Sequence, residues 1–169
     1  MTTNVTNLQH RSTGKVKSYL LMAVCIAVPL AVGFVSSGIT RNQMQAFGEL
    51  NQPPFSPPAW LFPIAWTILY VLMGIASYLM IRSDSKYKVA AICLYISQLI
   101  MNFMWSPVFF NMQDYWVALG ILATMWLTTI ILAITCWFVD KRATWCLVPY
   151  ILWMTFATYL NAGVGALNA

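Results

Sequence analysis

Hydrophobic positions in this chain run in long uninterrupted blocks, with the polar positions gathered between them. Five stretches contain no Asp, Glu, Lys or Arg: Tyr19–Ile39, Ala59–Ile81, Val89–Phe110, Tyr115–Phe138 and Thr144–Leu167. Each is long enough for a helix to cross a hydrocarbon core of ~30 Å, which takes roughly 20 residues. Barrel strands are about half that length and alternate polar with apolar, so the pattern predicts helices. The connections are short. The expected fold is therefore an all-α membrane protein, a single bundle of five transmembrane helices over residues 18–169, preceded by a flexible polar tail at 1–17.

Composition agrees. Of the 169 residues 60% are hydrophobic and 8% charged, against roughly 25% charged in soluble domains. The net charge of +5 would suit nucleic acid if it formed a patch, but it is segregated by loop. Arg11, Lys15, Lys17, Arg82, Lys86, Lys88, Lys141 and Arg142 fall on one side of the five spans, and Arg41 alone on the other. That asymmetry predicts a cytoplasmic N-terminus and an outer C-terminus, favours a bacterial inner membrane, and removes the case for nucleic acid. Lipid is the expected surface partner.

The spans carry more than hydrophobicity. A proline-dense block, Pro53-Pro54-Phe55-Ser56-Pro57-Pro58, leads into Trp60, Trp66 and Tyr70 with no further breaker between Pro63 and Gly74. Prolines restrict both their own backbone and the residue before them, so the block reads as a stiff approach to the second span. Trp66 and Tyr70 share a helical face at i, i+4. In the third span Asn102, Trp105, Ser106 and Phe109 form one stripe, with Gln98 a turn earlier. In the fifth, Tyr150, Trp153, Ala157 and Asn161 form another. Amides and indole N–H groups fare poorly against lipid, so the three stripes are expected to converge on a shared interior. Helix-to-helix hydrogen bonding and plain core packing are the competing readings of the same residues.

Trp60, Trp116, Trp137 and Trp145 stand at span ends and read as interfacial belt residues. Cys25, Cys93, Cys136 and Cys146 lack metal-ligand spacing and read as small packing residues. Ala162, Gly163, Gly165 and Ala166 read as allowing close helix approach. The sole histidine, His10, lies in the tail, so no metal site is expected. No span contains a carboxylate, His, Lys or Arg. Proton-driven pumps and ion channels normally place such groups in the path, and no nucleophile–base set is present for hydrolysis. The interior therefore suits a large, mostly apolar, aromatic-compatible guest.

These blocks resemble the translocator protein family, also called tryptophan-rich sensory proteins or peripheral-type benzodiazepine receptors, in its bacterial form. The likeness rests on Pro57-Pro58-Ala59-Trp60, Phe62-Pro63-Ile64-Ala65-Trp66-Thr67 and Leu69-Tyr70. It continues with Gln98, Asn102 and Trp105-Ser106-Pro107-Val108-Phe109-Phe110, then Val148-Pro149-Tyr150, Trp153, Ala157-Thr158-Tyr159-Leu160-Asn161 and Asn168. The resemblance implies a five-helix bundle that usually forms a homodimer and acts as a receptor or sensor. It implies binding of tetrapyrroles such as protoporphyrin IX and haem, and of sterols or benzodiazepine-type compounds, with no required cofactor. It also implies a pocket open towards the first loop and lined by the first, second, third and fifth helices. By matched motif, Trp66, Tyr70, Asn102, Trp105, Trp153 and Ala157 face that pocket, with Pro57 in the covering loop; Phe47, outside the motif, is expected to cover a bound ring from the same loop.

No catalytic residue is expected for a receptor. The alternatives are a light- or oxygen-dependent porphyrin-degrading enzyme acting through Trp66 and Trp153, or a transporter of porphyrins or sterols. Two departures stand out. Ala46-Phe47 replaces the Trp-Tyr pair often found upstream of the proline block. The sterol-recognition pattern of animal members is also absent, because no basic residue follows Tyr159.

Overall fold

The computed structural model describes residues 2–40 and 50–168. Among these, five α-helices follow one another: α1 Thr2–Thr40, α2 Leu61–Arg82, α3 Lys88–Phe110, α4 Tyr115–Trp137 and α5 Lys141–Asn168. All five are long and apolar enough to span a membrane, α1 from Val16 onward. Their outward faces carry Val24, Ile68, Ile100, Ile131 and Leu152, all exposed. Such a surface has lipid as its solvent, and the chain is an integral membrane protein. Trp60, Trp116, Trp137 and Trp145 are exposed at helix ends, where the belt reading places them.

Proline and local hydrogen bonds set the helix ends. The Leu61 amide donates to the Pro58 carbonyl at 2.9 Å, starting α2 two residues beyond the charge-free boundary. Pro63 then occupies the first turn, where a missing N–H removes nothing. The α4 N-terminus is capped by Asp114, whose Oδ1 accepts from the Val117 amide at 3.0 Å. Between α4 and α5, Asp140 accepts from the Arg142 backbone and guanidinium. That guanidinium holds the Asp140 carboxyl below the usual carboxylate range.

The helices close into a ring in the order α1, α2, α5, α4, α3, with α2 also touching α3 across it. The half nearest the loops at 83–87 and 138–140 holds the main core. Met73, Met80, Met125, Leu132, Cys136, Leu147, Tyr150 and Met154 are buried there in one contiguous cluster. Those two loops are tied together by Ser83 Oγ donating to the Val139 carbonyl and Ser85 Oγ to that of Phe138, both at 2.9 Å.

One glycine sets the α1–α2 distance. Pro29 has no N–H to offer the Cys25 carbonyl a turn earlier, and Gly74 lies against that freed carbonyl. A Cβ on Gly74 would collide with the Ile26 backbone and stand 2.8 Å from Cys25 O. Of the four cysteines, Cys25 and Cys136 are buried and Cys146 is half-buried. Cys93 is instead exposed, because its side chain lies on the outward face of α3.

Candidate functional site

The opposite half of the ring is hollow. A cavity of about 460 Å³ opens there between α1, α2, α3 and α5, with α4 excluded. Its floor is a polar chain buried between three helices. The Tyr70 hydroxyl donates to Asn102 Oδ1 at 2.7 Å. Asn102 Nδ2 donates to Tyr150 Oη at 3.1 Å, and Tyr150 donates to Gln98 Oε1 at 3.0 Å. Gln98 and Tyr150 are wholly buried. Charge-free hydrogen bonds of this kind satisfy groups that lipid cannot, and they fix the register of α2, α3 and α5 against one another.

Aromatic rings make the walls. Trp66 stacks on Tyr70 at 5.5 Å between centroids and meets Tyr150 edge-on at 6.2 Å. Trp105 stacks on Phe109 at 5.1 Å. Its indole is aimed by Asn161, which accepts from Trp105 Nε1 at 3.0 Å and donates to the Tyr115 carbonyl at 2.8 Å. Across the space, Trp153 touches Phe62 and Phe156 edge-on, and its buried Nε1 has no hydrogen-bond partner among the described residues. Among the described residues, none lining the cavity is charged.

The proline block closes over α5. Pro53 is buried in a notch at Gly163, where an added Cβ would lie 2.5 Å from Pro53 Cβ. The Asn51 amide donates to Asn168 Oδ1 at 2.9 Å, and Asn168 Nδ2 returns a bond to the Asn51 carbonyl at 2.8 Å. The Tyr159 hydroxyl donates to the Pro54 carbonyl at 2.8 Å. A turn from Pro53 to Ser56 carries Phe55 at φ 64°, a left-handed conformation for which glycine is the usual choice. The loop thus spends backbone strain to keep its latch. Gly163→Ala is expected to lift Pro53 and speed ligand release roughly three- to tenfold, about 0.7–1.4 kcal/mol. Stopped-flow dissociation against an unchanged melting temperature checks it.

The profile of the TspO/MBR family matches residues 25–167, nearly the whole of the bundle. The chain belongs to the TspO/MBR family. Curated members similar to it include the tryptophan-rich protein TspO of Chlorobaculum tepidum, 36% identical over 155 residues that cover 90% of this chain and 98% of that one. The tryptophan-rich sensory protein of Cereibacter sphaeroides is 38% identical over 136 residues, 79% of this chain and 83% of its own. The translocator protein of Bos taurus is 32% identical over 139 residues, 79% and 82% of the two chains.

Within this TspO/MBR bundle, six of the eight residues singled out from the sequence line one cavity: Trp66, Tyr70, Asn102, Trp105, Trp153 and Ala157. Pro57 does not line it; it stands half-buried between the latched turn and α2, while Ala59 and Phe62 reach the space. Phe47, like Ala46 and Arg41, lies outside the described residues. Gln98 and Tyr150 serve as hydrogen-bonded floor beneath the cavity. Gly163 accommodates the loop, not a neighbouring helix, and Gly165 faces Tyr115 and Trp116.

The resemblance placed the first helix at the pocket, but sequence reasoning named none of its lining residues, which are Leu30, Gly33, Phe34, Ser36, Ser37 and Thr40. The available signal was the cluster of hydroxyls ending an otherwise apolar span.

Proposed function

We propose that this protein is a membrane receptor or sensor that takes a tetrapyrrole, such as protoporphyrin IX or haem, into the aromatic cavity. The observation that carries the reading is the uncharged hollow walled by Trp66, Tyr70, Trp105 and Trp153. Its volume falls in the roughly 300–1,000 Å³ range of small-molecule sites. A flat macrocycle would meet indole faces and edges, each pair contributing on the order of 0.5–1.5 kcal/mol beyond area burial. Asn102 would present an amide to a polar edge, and the acidic side chains of the macrocycle would lie at the loop mouth. Other flat hydrophobic compounds would use the same walls.

The charge asymmetry of the loops supports an inner-membrane location with the N-terminus in the cytoplasm, so the mouth would open outward. A homodimer in the bilayer is part of the same reading. The hydrogen-bonded floor and the buried core beyond it favour a receptor over a conduit. The Trp66–Tyr70 stack, two oxidisable rings at the cavity wall, favours porphyrin breakdown as the second reading. It predicts a new product spectrum at turnover beyond the protein concentration. Equal bleaching in empty detergent rejects it.

The receptor reading is tested by titrating protoporphyrin IX against Trp66→Phe and Trp153→Phe. Each variant is expected to bind about tenfold more weakly, the equivalent of about 1.4 kcal/mol, with reduced tryptophan quenching. Unchanged affinity and quenching in both would sink the reading.

A further inference from the structure

Three hydroxyls end α1 beside the cavity, and they behave differently. Ser37 Oγ donates to the Phe34 carbonyl at 2.9 Å, and Thr40 Oγ1 to that of Ser36 at 3.1 Å. Both follow the usual habit of a helical hydroxyl, which turns back to the backbone. Ser36 does not. It is 4% exposed and lines the cavity, and its Oγ has no hydrogen-bond partner among the described residues. A buried hydroxyl left unpaired is costly, and native proteins rarely keep one without a use.

No described residue supplies that partner, and an oxygen or nitrogen carried by a guest in the cavity would. The rest of the cavity constrains its kind. Tyr70 and Trp105 already use their donors on Asn102 and Asn161, Trp153 Nε1 is a second donor without a partner among the described residues, and no lining residue among those described is cationic. A neutral acceptor meets the Ser36 hydroxyl without the desolvation that an ionised group incurs in low-dielectric surroundings.

We propose that Ser36 donates a hydrogen bond to a carbonyl-type oxygen on the guest, so that the inner cavity selects neutral, acceptor-bearing ring systems. This rests on the cavity being a ligand site, as proposed above, and adds the chemistry that its α1 wall reads. Ser36 becomes a specificity-determining residue on the one cavity-lining helix whose sequence shows no aromatic stripe.

The test compares two porphyrins of similar size in nanodiscs, with empty nanodiscs as the partition control. Protoporphyrin IX dimethyl ester carries neutral carbonyls at its edge; octaethylporphyrin carries none. Ser36→Ala is expected to weaken the ester roughly fivefold or more, as loss of one neutral hydrogen bond does, and to leave octaethylporphyrin unchanged. Retained octaethylporphyrin binding also reports that the variant is folded. No change for either porphyrin overturns the proposal. If Ser36→Ala loses both, Ser36→Thr decides: retained ester binding supports the hydroxyl, and lost binding overturns it. If neither porphyrin binds the wild type saturably, the tetrapyrrole reading falls by itself. Benzophenone against diphenylmethane, read by calorimetry, then decides Ser36 on the same logic: selective loss of the ketone supports it, and equal binding overturns it.

Discussion

Gly74→Val is expected to destabilise the bundle by at least ~3 kcal/mol, the upper end of overpacking costs, and to leave little folded protein. The reason is the identity of the neighbours. A side chain at position 74 would meet the Ile26 backbone and the Cys25 carbonyl, which cannot rotate aside as a side chain can. Relief requires α1 to move off α2. Because α1 supplies one wall of the cavity, ligand binding is lost with the fold. The same substitution at Gly120 is the control. Nothing lies within 4 Å of a Cβ there, and Gly120→Val is expected to be nearly neutral. Thermal unfolding of both variants in the same detergent, followed by size-exclusion monodispersity, separates the two outcomes.

The second large effect lies in the cavity floor. Tyr150→Phe deletes one oxygen but orphans two neighbours. Asn102 Nδ2 loses its acceptor and Gln98 Oε1 its donor, while Gln98 Nε2 is already unpaired. Each buried group left unsatisfied costs about 1–3 kcal/mol, so a loss of about 2–4 kcal/mol is expected. The sharper expectation concerns the double variant. Gln98→Leu in the Tyr150→Phe background removes an amide with neither atom paired and replaces it with an apolar group of similar size. Tyr150→Phe with Gln98→Leu is therefore expected to be more stable than Tyr150→Phe alone. Such a sign reversal is the signature of residues sharing one network. Additive losses in a thermal or denaturant series would show instead that the floor is ordinary packing.

The spans were legible because lipid imposes a crude rule, no charge for about 20 residues, and this chain obeys it five times. The three stripes were legible for a related reason: an amide or indole inside such a span needs company, and helical spacing tells which residues travel together. That reasoning brought Trp66, Tyr70, Asn102, Trp105 and Trp153 to one place. It failed for α1, where the wall is made by Gly33 and hydroxyls that carry no hydrophobic or aromatic period. Gly33 matters by having no side chain: a Cβ there would overlap the Tyr70 ring. Loop contacts were equally hidden. Asn51 with Asn168, and Pro54 with Tyr159, are pairs more than a hundred residues apart, and nothing local marks either partner. Gln98 and Asn102 read alike in sequence, both amides on one helix. Only depth distinguishes them, since Asn102 reaches the cavity and Gln98 lies beneath it.

The proposed seat of a flat macrocycle is the hollow above the Tyr70–Asn102–Tyr150 floor, not the lipid-facing aromatic belt. An anomalous difference map from crystals grown with zinc protoporphyrin tests this directly. A single zinc peak is expected between the Trp66 and Trp153 indoles, weakened in Trp153→Phe crystals. A peak confined to the outer surface beside Trp60, Trp116 or Trp145, with the hollow unchanged, would contradict it.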